Sequence, residues 1–439
     1  MTPHEMRKLA GELEEFLEYC FTGMGRSERR EALGHYVRGV LLDGERKAVS
    51  PIARRLCQDP SEQEAMRQRL QQAAVVAKWD ARELFRRIAV RVDAELPGVD
   101  AFVVDDTGFP KKGKHSVGVQ RQYSGTLGRV DNCQVAASLH LASEQGGACI
   151  GMRLALPKSW AEDRKRCDKA GVPSDVGHRT KSELALEMLD DALSWGLGPK
   201  PVVADSGYGD SNEFRQALQD KGLGYVVGVT DTAKVWRPGT EFVAPPPKPP
   251  GKKGRQPTRP VPVDGVEPVS IGELARSLPS SKFRRIRWKP GGSPHKGRRF
   301  AFLRVRPAHR HRLGRPPGDE QWLICEWSFK QRRPTAFYLS NLPPSTTRRR
   351  LVYLAKLRWR IERDYQEMKS ELGLDHFEGR TWRGFHHHVA LVAAAHAFLT
   401  LQRALFPPQL PPAAELPGLP PTASGRPPAD ARTLSTVRL

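Results

Sequence analysis

Residues 101–108 read AFVVDDTG, four apolar residues followed by two carboxylates and two turn-forming residues. A short apolar run bounded in this way is typical of a buried strand. We therefore expect a strand over Ala101–Val104 that ends in Asp105 and Asp106, so that a sheet fixes the position of these acids. An Asp after a strand is also ordinary turn chemistry, and that alternative stays open for either acid taken alone.

The same pattern recurs further along the chain. Residues 201–209 read PVVADSGYG, which predicts a strand over Pro201–Ala204 that ends at Asp205. The small residues after it predict a tight turn that leaves the carboxylate accessible. Two acids delivered by two strand ends are the first indication of a shared site.

The segments around these acids define the fold class. Alternating apolar residues predict further strands over 116–123, 132–141, 148–156 and 224–229. Thr180 and Glu183 form a T-x-x-E capping box, which predicts a helix that Gly196 ends, and a second helix is predicted over 212–219. Several strands followed by a strand–helix–strand unit indicate a mixed α/β sheet flanked by helices.

The charge of the chain indicates its partner. It carries 71 Lys and Arg against 49 Asp and Glu, a formal charge of +22. Nucleic acid is the first candidate, because its phosphates supply most non-specific affinity. Membrane binding is the rival, but we find neither an apolar run of about 18 residues nor a lipidation motif. With no C-x-x-C pair and no signal segment, we expect a reducing, cytoplasmic setting, bacterial and nucleoid-associated.

The composition also predicts the domain boundaries. Residues 1–97 are expected to form a helical DNA-binding domain, although basic amphipathic helices are common. The α/β part covers 98–230 and 344–406. A β-rich insertion over 231–343 interrupts it, with a disordered Pro/Lys-rich loop at 244–268 and strands over 283–288, 299–306, 321–327 and 335–339. The Pro-rich tail, 407–439, is expected to be disordered.

A third acid lies on a long helix predicted over 346–372 and ended by Gly373. At about 100° per residue, Arg358, Glu362 and Lys369 fall on one side of this helix, at the edge of its apolar stripe. A surface ion-pair ladder is the alternative explanation. Arg four residues before Glu is the less favourable orientation of a helical pair, which weakens that alternative.

Three carboxylates from three different elements suit phosphodiester transfer. That reaction places charge on the attacking and the leaving oxygen together, and two Mg²⁺ ions about 3.5–4 Å apart offset both. Mg²⁺ is a hard cation that binds carboxylate oxygens. Asp105, Asp205 and Glu362 are therefore the candidate ligands.

A set of motifs carries a family resemblance. They are DDTGFPKKG at 105–113, VQRQYSG at 119–125, DNCQV at 131–135, ADSGYG at 204–209, and R-x-x-x-E at 358–362 with Lys369 after it. On these motifs the chain resembles the insertion-sequence DDE transposases, in the branch with a D-D-T-G-F-P-K opening motif and within the Y-R-E-K signature group. The Tyr of that signature falls on Ala355 here, and Tyr353 is out of register.

The resemblance implies a ribonuclease H-like catalytic domain that holds two Mg²⁺ ions, with Mn²⁺ able to substitute. It implies double-stranded DNA, both the terminal inverted repeats of an element and the target, as substrate, and a homodimer that pairs the two ends. The catalytic metal ligands would be Asp105, Asp205 and Glu362. The candidate DNA contacts are Arg358 and Lys369, to which we add the basic residues Lys111, Lys112 and Arg121.

Some alternatives stay open at this stage. Asp106 adjoins Asp105, and the D-x-T spacing to Thr107 is what favours Asp105. The enzyme could be a DDE-type endonuclease without strand transfer, which would share every carboxylate. A catalytically inactive DNA-binding relative is the other alternative, against which an intact triad argues.

Two further groups invite a functional interpretation. His386-His387-His388 could suggest a metal site, but adjacent residues on a helix point in different directions. Trp288, Trp322 and Trp327 of the insertion are candidates to hold a flipped base, with core packing as the alternative.

Overall fold

The computed structural model describes residues 2–125, 127–251, 255–256, 258, 260–263, 265–288, 298–308 and 317–405. The predicted disordered tail, 407–439, lies outside these residues, as does part of the predicted loop at 244–268. The helices are α1 (Pro3–Phe21), α2 (Ser27–Leu41), α3 (Val49–Leu56), α4 (Pro60–Gln71), α5 (Ala81–Glu95), α6 (Lys158–Ala161), α7 (Arg164–Ala170), α8 (Lys181–Ser194), α9 (Ser206–Gly209), α10 (Asn212–Asp220), α11 (Ile271–Ser277), α12 (Arg348–Leu357), α13 (Trp359–Ser370) and α14 (Trp382–Leu405). A π-helical turn, Gln72–Val76, follows α4, and a 3₁₀ turn, Ser280–Lys282, follows α11.

The strands are β1 (Ala101–Pro110), β2 (Gln120–Ser124), β3 (Arg129–Ala142), β4 (Gly147–Leu154), β5 (Val202–Ala204), β6 (Tyr225–Val229), β7 (Lys234–Trp236), β8 (Phe242–Val243), β9 (Val261–Pro262), β10 (Val269–Ser270), β11 (Arg298–Pro307), β12 (Gln321–Ser328) and β13 (Ala336–Ser340). Within the described residues, eleven strands form one sheet in the order β10-β7-β11-β12-β13-β6-β5-β1-β3-β2, with β4 also paired to β3. Strand β5 runs parallel to β1 and β6, whereas β3 and β13 pair antiparallel to their neighbours. The predicted mixed α/β architecture, a mixed sheet flanked by helices, is confirmed.

Strands from the segment 231–343 continue this sheet. β13 pairs with β6, β12 with β13, and β11 with β12. The helices of residues 3–95 share one apolar core with β1, β3, β4 and α14. Strands of 231–343 thus extend the sheet that carries the acids, and the helices of residues 3–95 pack against it.

Helix α14 runs through the centre of that core. By length and composition it could cross a membrane, but 72% of its most apolar stretch is buried inside the protein. It packs against β4, α5 and α2. This is the environment of a core helix.

Three predicted elements differ from the structure. The predicted strand 116–123 begins only at Gln120, because Gly118 adopts a left-handed backbone (φ 71°) in a turn closed by the Val119 N–H and the Ser116 carbonyl. The predicted strand 283–288 is reduced to one bridge between Arg284 and Phe300. Within the described part of 283–288, Arg284 is the residue that exchanges backbone hydrogen bonds with β11.

The third difference concerns the predicted helix 346–372. It is interrupted at Arg358, between α12 and α13, where the Ile361 N–H bonds to the Arg358 carbonyl three residues back. Helical periodicity contains no signal for this tighter turn. The Arg358 side chain also makes a contact outside the helix, with Asp105 of the sheet.

Candidate active site

Asp105 lies inside β1, so the prediction that the strand ends there is wrong. Strand β1 continues to Pro110 because it pairs with β3 along its whole length, which places Asp105 opposite Ser138. The carboxylate is buried, and its Oδ1 accepts a hydrogen bond from the Asp106 N–H at 2.9 Å. Burial raises the pKa of Asp105 to about 6, against the opposing effect of the Arg358 guanidinium. A poorly solvated carboxylate of this kind favours a cation beside it.

Asp106 faces the other side of the sheet. Side chains alternate along a strand, and the Oδ2 of Asp106 forms an ion pair with the Nζ of Lys181 at the start of α8. Asp105 instead meets the α12–α13 junction. The two neighbouring acids, between which the sequence left a choice, therefore contact different elements.

Asp205 follows β5 directly, as predicted. It caps α9, with its Oδ1 accepting from the Gly207 N–H at 2.9 Å. Val103 pairs with Val203 across the parallel strands β1 and β5, and neighbouring strands lie about 4.8 Å apart. The same register brings Asp205 level with Asp105. Burial and the Arg358 charge have the largest effects on the pKa of Asp105, and the negative charge of Asp205 raises it further.

Glycine in the second acidic motif lets α9 pack closely on β6. A Cβ atom on Gly209 would lie 1.9 Å from the carbonyl oxygen of Gly228, so no other residue fits without a backbone shift. This packing buries Tyr208, whose hydroxyl donates to the carbonyl oxygen of Asp105 at 3.1 Å. Tyr208 thereby ties the turn after Asp205 to the strand of Asp105. Its spacing in the sequence gives no sign of that partner.

Arg358 joins the sheet to the helix that carries the third acid. Its Nη1 donates to the Oδ2 of Asp105 at 2.9 Å, and its Nη2 donates to the Oε1 of Glu362 at 2.7 Å. Burial acts to lower the pKa of Arg358, yet the charges of Asp105, Glu362 and Asp205 raise it above its ordinary value. The Glu362 side chain is 61% exposed. The helical ion pair considered from the sequence is present, and it forms part of a contact that reaches the sheet.

Two hydrogen bonds anchor α13 to the sheet, one on either side of the point between Leu139 and His140 where the register of the β3–β4 pairing shifts. His140 Nδ1 and Asp364 Oδ2 lie 3.0 Å apart, and Ser138 Oγ and Tyr365 OH lie 2.5 Å apart. These contacts fix the face of α13 that meets the sheet and leave Glu362 at its edge. Sequence reasoning missed them, although a single His in the apolar run around residue 140 was an available signal.

Comparison with known proteins adds a family to this geometry. A family model described as a DDE superfamily endonuclease matches residues 19–295, which include Asp105 and Asp205. The chain belongs to the DDE superfamily of endonucleases. The match ends before Glu362, so the third acid lies outside it.

This DDE endonuclease is also similar to the probable transposase for insertion sequence element IS701 of Microchaete diplosiphon. The two are 30% identical over 203 residues, which is 45% of this chain and 48% of that protein. The chain thus spans about half the length of the curated relative that it matches. The resemblance to the DDE transposase family is confirmed, whereas the branch and the Y-R-E-K signature group stay predictions.

DDE endonucleases generally use divalent metal ions, and the donors of this site fit such an ion. Asp105, Asp205 and Glu362 offer only carboxylate oxygens, the donors that hard cations prefer. Two of them, Asp105 and Glu362, already bind a cationic group, the Arg358 guanidinium. Within the described ranges, no three His, Cys, Asp or Glu side chains converge closely enough to hold a metal ion, and Arg358 stands between Asp105 and Glu362.

Of the other predicted DNA contacts, two lysines bond to backbone carbonyls and two basic side chains are exposed. Lys369 Nζ donates to the Gly108 carbonyl of β1 at 2.9 Å, and Lys111 Nζ donates at 2.7 Å to a carbonyl between α13 and α14. Burial lowers the pKa of both lysines. Lys112 and Arg121 are exposed to solvent.

The three adjacent histidines join α14 to surrounding segments. His387 stacks on Trp79, with ring centroids 3.8 Å apart, and its nitrogens lie 3.1 and 2.9 Å from the carbonyl oxygens of Ala74 and Trp79. His388 Nδ1 lies 2.9 Å from the Tyr36 hydroxyl. Burial lowers the pKa of each of the three to about 4.

The three tryptophans proposed for base holding each have a packing partner. Trp288 packs edge-on against Phe300, and Trp327 packs edge-on against Phe283. Trp322 donates its indole N–H to the Pro343 carbonyl at 3.1 Å. These contacts are those expected from the core-packing alternative.

Proposed function

We propose that the chain is a DNA transposase that cuts the ends of an insertion element and joins them to target DNA, with Asp105, Asp205 and Glu362 as its catalytic acids. One observation carries the proposal: the cationic Arg358 bonds to Asp105 and Glu362 and is also affected by the charge of Asp205, at the α12–α13 junction. The similarity to a probable transposase supports the choice of reaction.

Asp105, Asp205 and Glu362 would hold two Mg²⁺ ions, or Mn²⁺ in their place. When bound, such ions offset charge on the attacking and leaving oxygens of a phosphodiester. The protein itself contributes fixed positions. Strand register sets the two Asp residues, and the Tyr208 hydroxyl holds the backbone of β1 at Asp105.

Both stages of the proposed reaction are phosphoryl transfers. Hydrolysis at the element end frees a 3′ hydroxyl, which then attacks a phosphodiester of the target, without a covalent protein–DNA bond. The paired N–H groups of Arg358 match a phosphate as well as a carboxylate. Lys112 and Arg121 are exposed for contacts with the DNA backbone, and the charge of +22 favours such contacts in general.

The finer architecture is part of the same proposal. Residues 98–230 and 344–406 would form a ribonuclease H-like catalytic domain, which the parallel pairing of β1, β5 and β6 supports. Residues 1–97 would recognise the element ends, and 231–343 would be an insertion that widens the sheet. Because two ends are cut together, the active form would be a homodimer, in the bacterial cytoplasm at the nucleoid.

Metal dependence tests the chemistry. We expect cleavage of an end-containing duplex in Mg²⁺ or Mn²⁺. Ca²⁺ should support assembly with little cutting, because its looser coordination fits the transition state poorly. Full cleavage in excess chelator would contradict the proposed metal site.

Strand transfer separates the proposal from its alternatives. A pre-cut end with a free 3′ hydroxyl, incubated with supercoiled target, should give a joined product. Hydrolysis without joining identifies the endonuclease alternative. Specific end binding with neither reaction identifies a catalytically inactive relative.

A further inference from the structure

A single side chain occupies the centre of the acidic site. The guanidinium of Arg358 bonds to one oxygen of Asp105 and one oxygen of Glu362, and the charge of Asp205 also acts on it. The Arg358 side chain is about one-third exposed, so it is only partly shielded from solvent. Carboxylate oxygens that bind this cation are the same donors that a divalent ion would need.

An arginine on the same helix provides a comparison. Arg363 and Glu367 have the same four-residue spacing, and their Nε and Oε1 atoms lie 3.1 Å apart. The Arg363 side chain is 60% exposed. Its partner Glu367 also pairs with Arg403 of α14, so this ion pair lies on the side of α13 away from Arg358.

Arg358 differs from Arg363 in its backbone as well as its partners. It stands at the interruption between α12 and α13, where the helical hydrogen-bond pattern tightens. Helical spacing alone supplies only the contact with Glu362. The contact with Asp105 is a tertiary one, and it places the guanidinium between two elements.

We propose that Arg358 is a resident cation that occupies the acidic site until a divalent metal and DNA replace it, so that binding of the metal and binding of the DNA are coupled. The inference rests on the metal role proposed above for Asp105, Asp205 and Glu362. A guanidinium and a divalent ion compete for the same oxygens, because two positive charges held close together repel each other. Once displaced, Arg358 presents its N–H pair to a phosphate.

Coupling of this kind acts in both directions. A phosphate that binds Arg358 frees Asp105 and Glu362 and so raises the affinity for metal. By thermodynamic reciprocity, metal raises the affinity for DNA by the same factor. The acidic site would then be loaded with metal efficiently only when DNA is bound.

Mn²⁺ binding to the full chain without DNA tests the inference directly. Free Mn²⁺ gives an electron paramagnetic resonance signal that is lost on binding, so affinity is measured without any activity. Arg358→Gln should bind Mn²⁺ more tightly than the wild type by about 5-fold to 150-fold, the usual range of such coupling. The matched variant Arg363→Gln should bind like the wild type. Adding an end-containing duplex should raise the Mn²⁺ affinity of the wild type and have less effect on Arg358→Gln.

The outcomes separate this inference from the proposed function. If Asp205→Asn binds Mn²⁺ as the wild type does, the metal role of the acids fails. If Asp205→Asn loses Mn²⁺ while Arg358→Gln binds no more tightly than wild type, the acids hold metal and Arg358 does not compete for them. Should Arg358→Gln fold poorly, Arg358→Lys replaces it. A lysine cannot bridge both carboxylates with two N–H pairs, so its Mn²⁺ affinity should also exceed that of the wild type, and an equal or lower affinity overturns the inference.

Discussion

The sheet side and the helix side of the acidic site are built in different ways. On the sheet side, Asp105 and Asp205 are fixed by strand register, by a buried tyrosine hydroxyl and by a helix cap. On the helix side, Glu362 is exposed and its carboxylate is held by Arg358, beside an interruption of the helix. The difference indicates a site whose sheet side is preformed and whose helix side is completed when ligands bind.

The largest expected effect distinguishes the two faces of β1. Asp105→Ala should lower end cleavage by at least about 10²–10³-fold, the scale of losing one group that stabilises charge in a transition state. Asp106→Ala should keep cleavage within a few-fold, because Asp106 pairs with Lys181 on the other face. Cleavage rates of the two purified variants decide the matter. The opposite ranking would move the catalytic role to Asp106.

The next effect follows from the burial of Asp105, whose pKa is raised from 3.8 to about 6. The folded state thus holds this proton more tightly than the unfolded state does. Without metal, the contribution of Asp105 to stability is therefore most favourable below pH 4 and becomes unfavourable as pH rises through 6. At pH 7 the cost is about 3 kcal/mol.

Asp105→Asn removes that cost. Denaturant unfolding without metal should show the variant to be more stable than wild type at pH 7, with the difference shrinking toward pH 4. Added Mn²⁺ should stabilise the wild type and not the variant. An Asp105→Asn variant that is less stable than wild type at pH 7 would show that burial of the ionised Asp105 carboxylate does not destabilise the folded protein.

A smaller effect tests how the helix side is anchored. Asp364→Asn weakens the buried contact with His140 and should lower the free energy of unfolding by about 1–3 kcal/mol, the cost of an imperfectly satisfied buried group. Arg363→Gln, on the same helix, should change it by less than about 1 kcal/mol because its ion pair is solvated. Equal stability of the two variants in urea would contradict the anchoring role of Asp364.

The sheet side was also the more predictable of the two. Apolar runs before Asp105 and Asp205 predicted their strands, and the capping box at Thr180 predicted the start of α8. The continuation of β1 past Asp105 was not predictable from local pattern, because it depends on pairing with β3. The break at Arg358 was missed because helical periodicity continues unchanged from α12 into α13.

The helix side shows what a single sequence lacks. Spacing placed Arg358 and Glu362 on one side of a helix, which was correct, but it could not show that Arg358 also reaches the sheet. Lys111 and Lys369 were predicted to contact DNA, and no sequence pattern indicated that both donate to backbone carbonyls. Partners that lie far apart along the chain are set by packing, and no periodicity records them.

The most direct test of the central claim is Glu362→Gln, because Glu362 lies outside the family match and on the less fixed side of the site. End cleavage in Mg²⁺ and thermal unfolding are measured on the same preparation, with Arg363→Gln beside it. We predict that Glu362→Gln loses cleavage by at least about 10²-fold while its stability stays within about 1 kcal/mol of wild type, since its ion pair is mostly exposed. Cleavage at a rate near that of the wild type would show that Glu362 belongs to a surface ion pair and not to the catalytic triad.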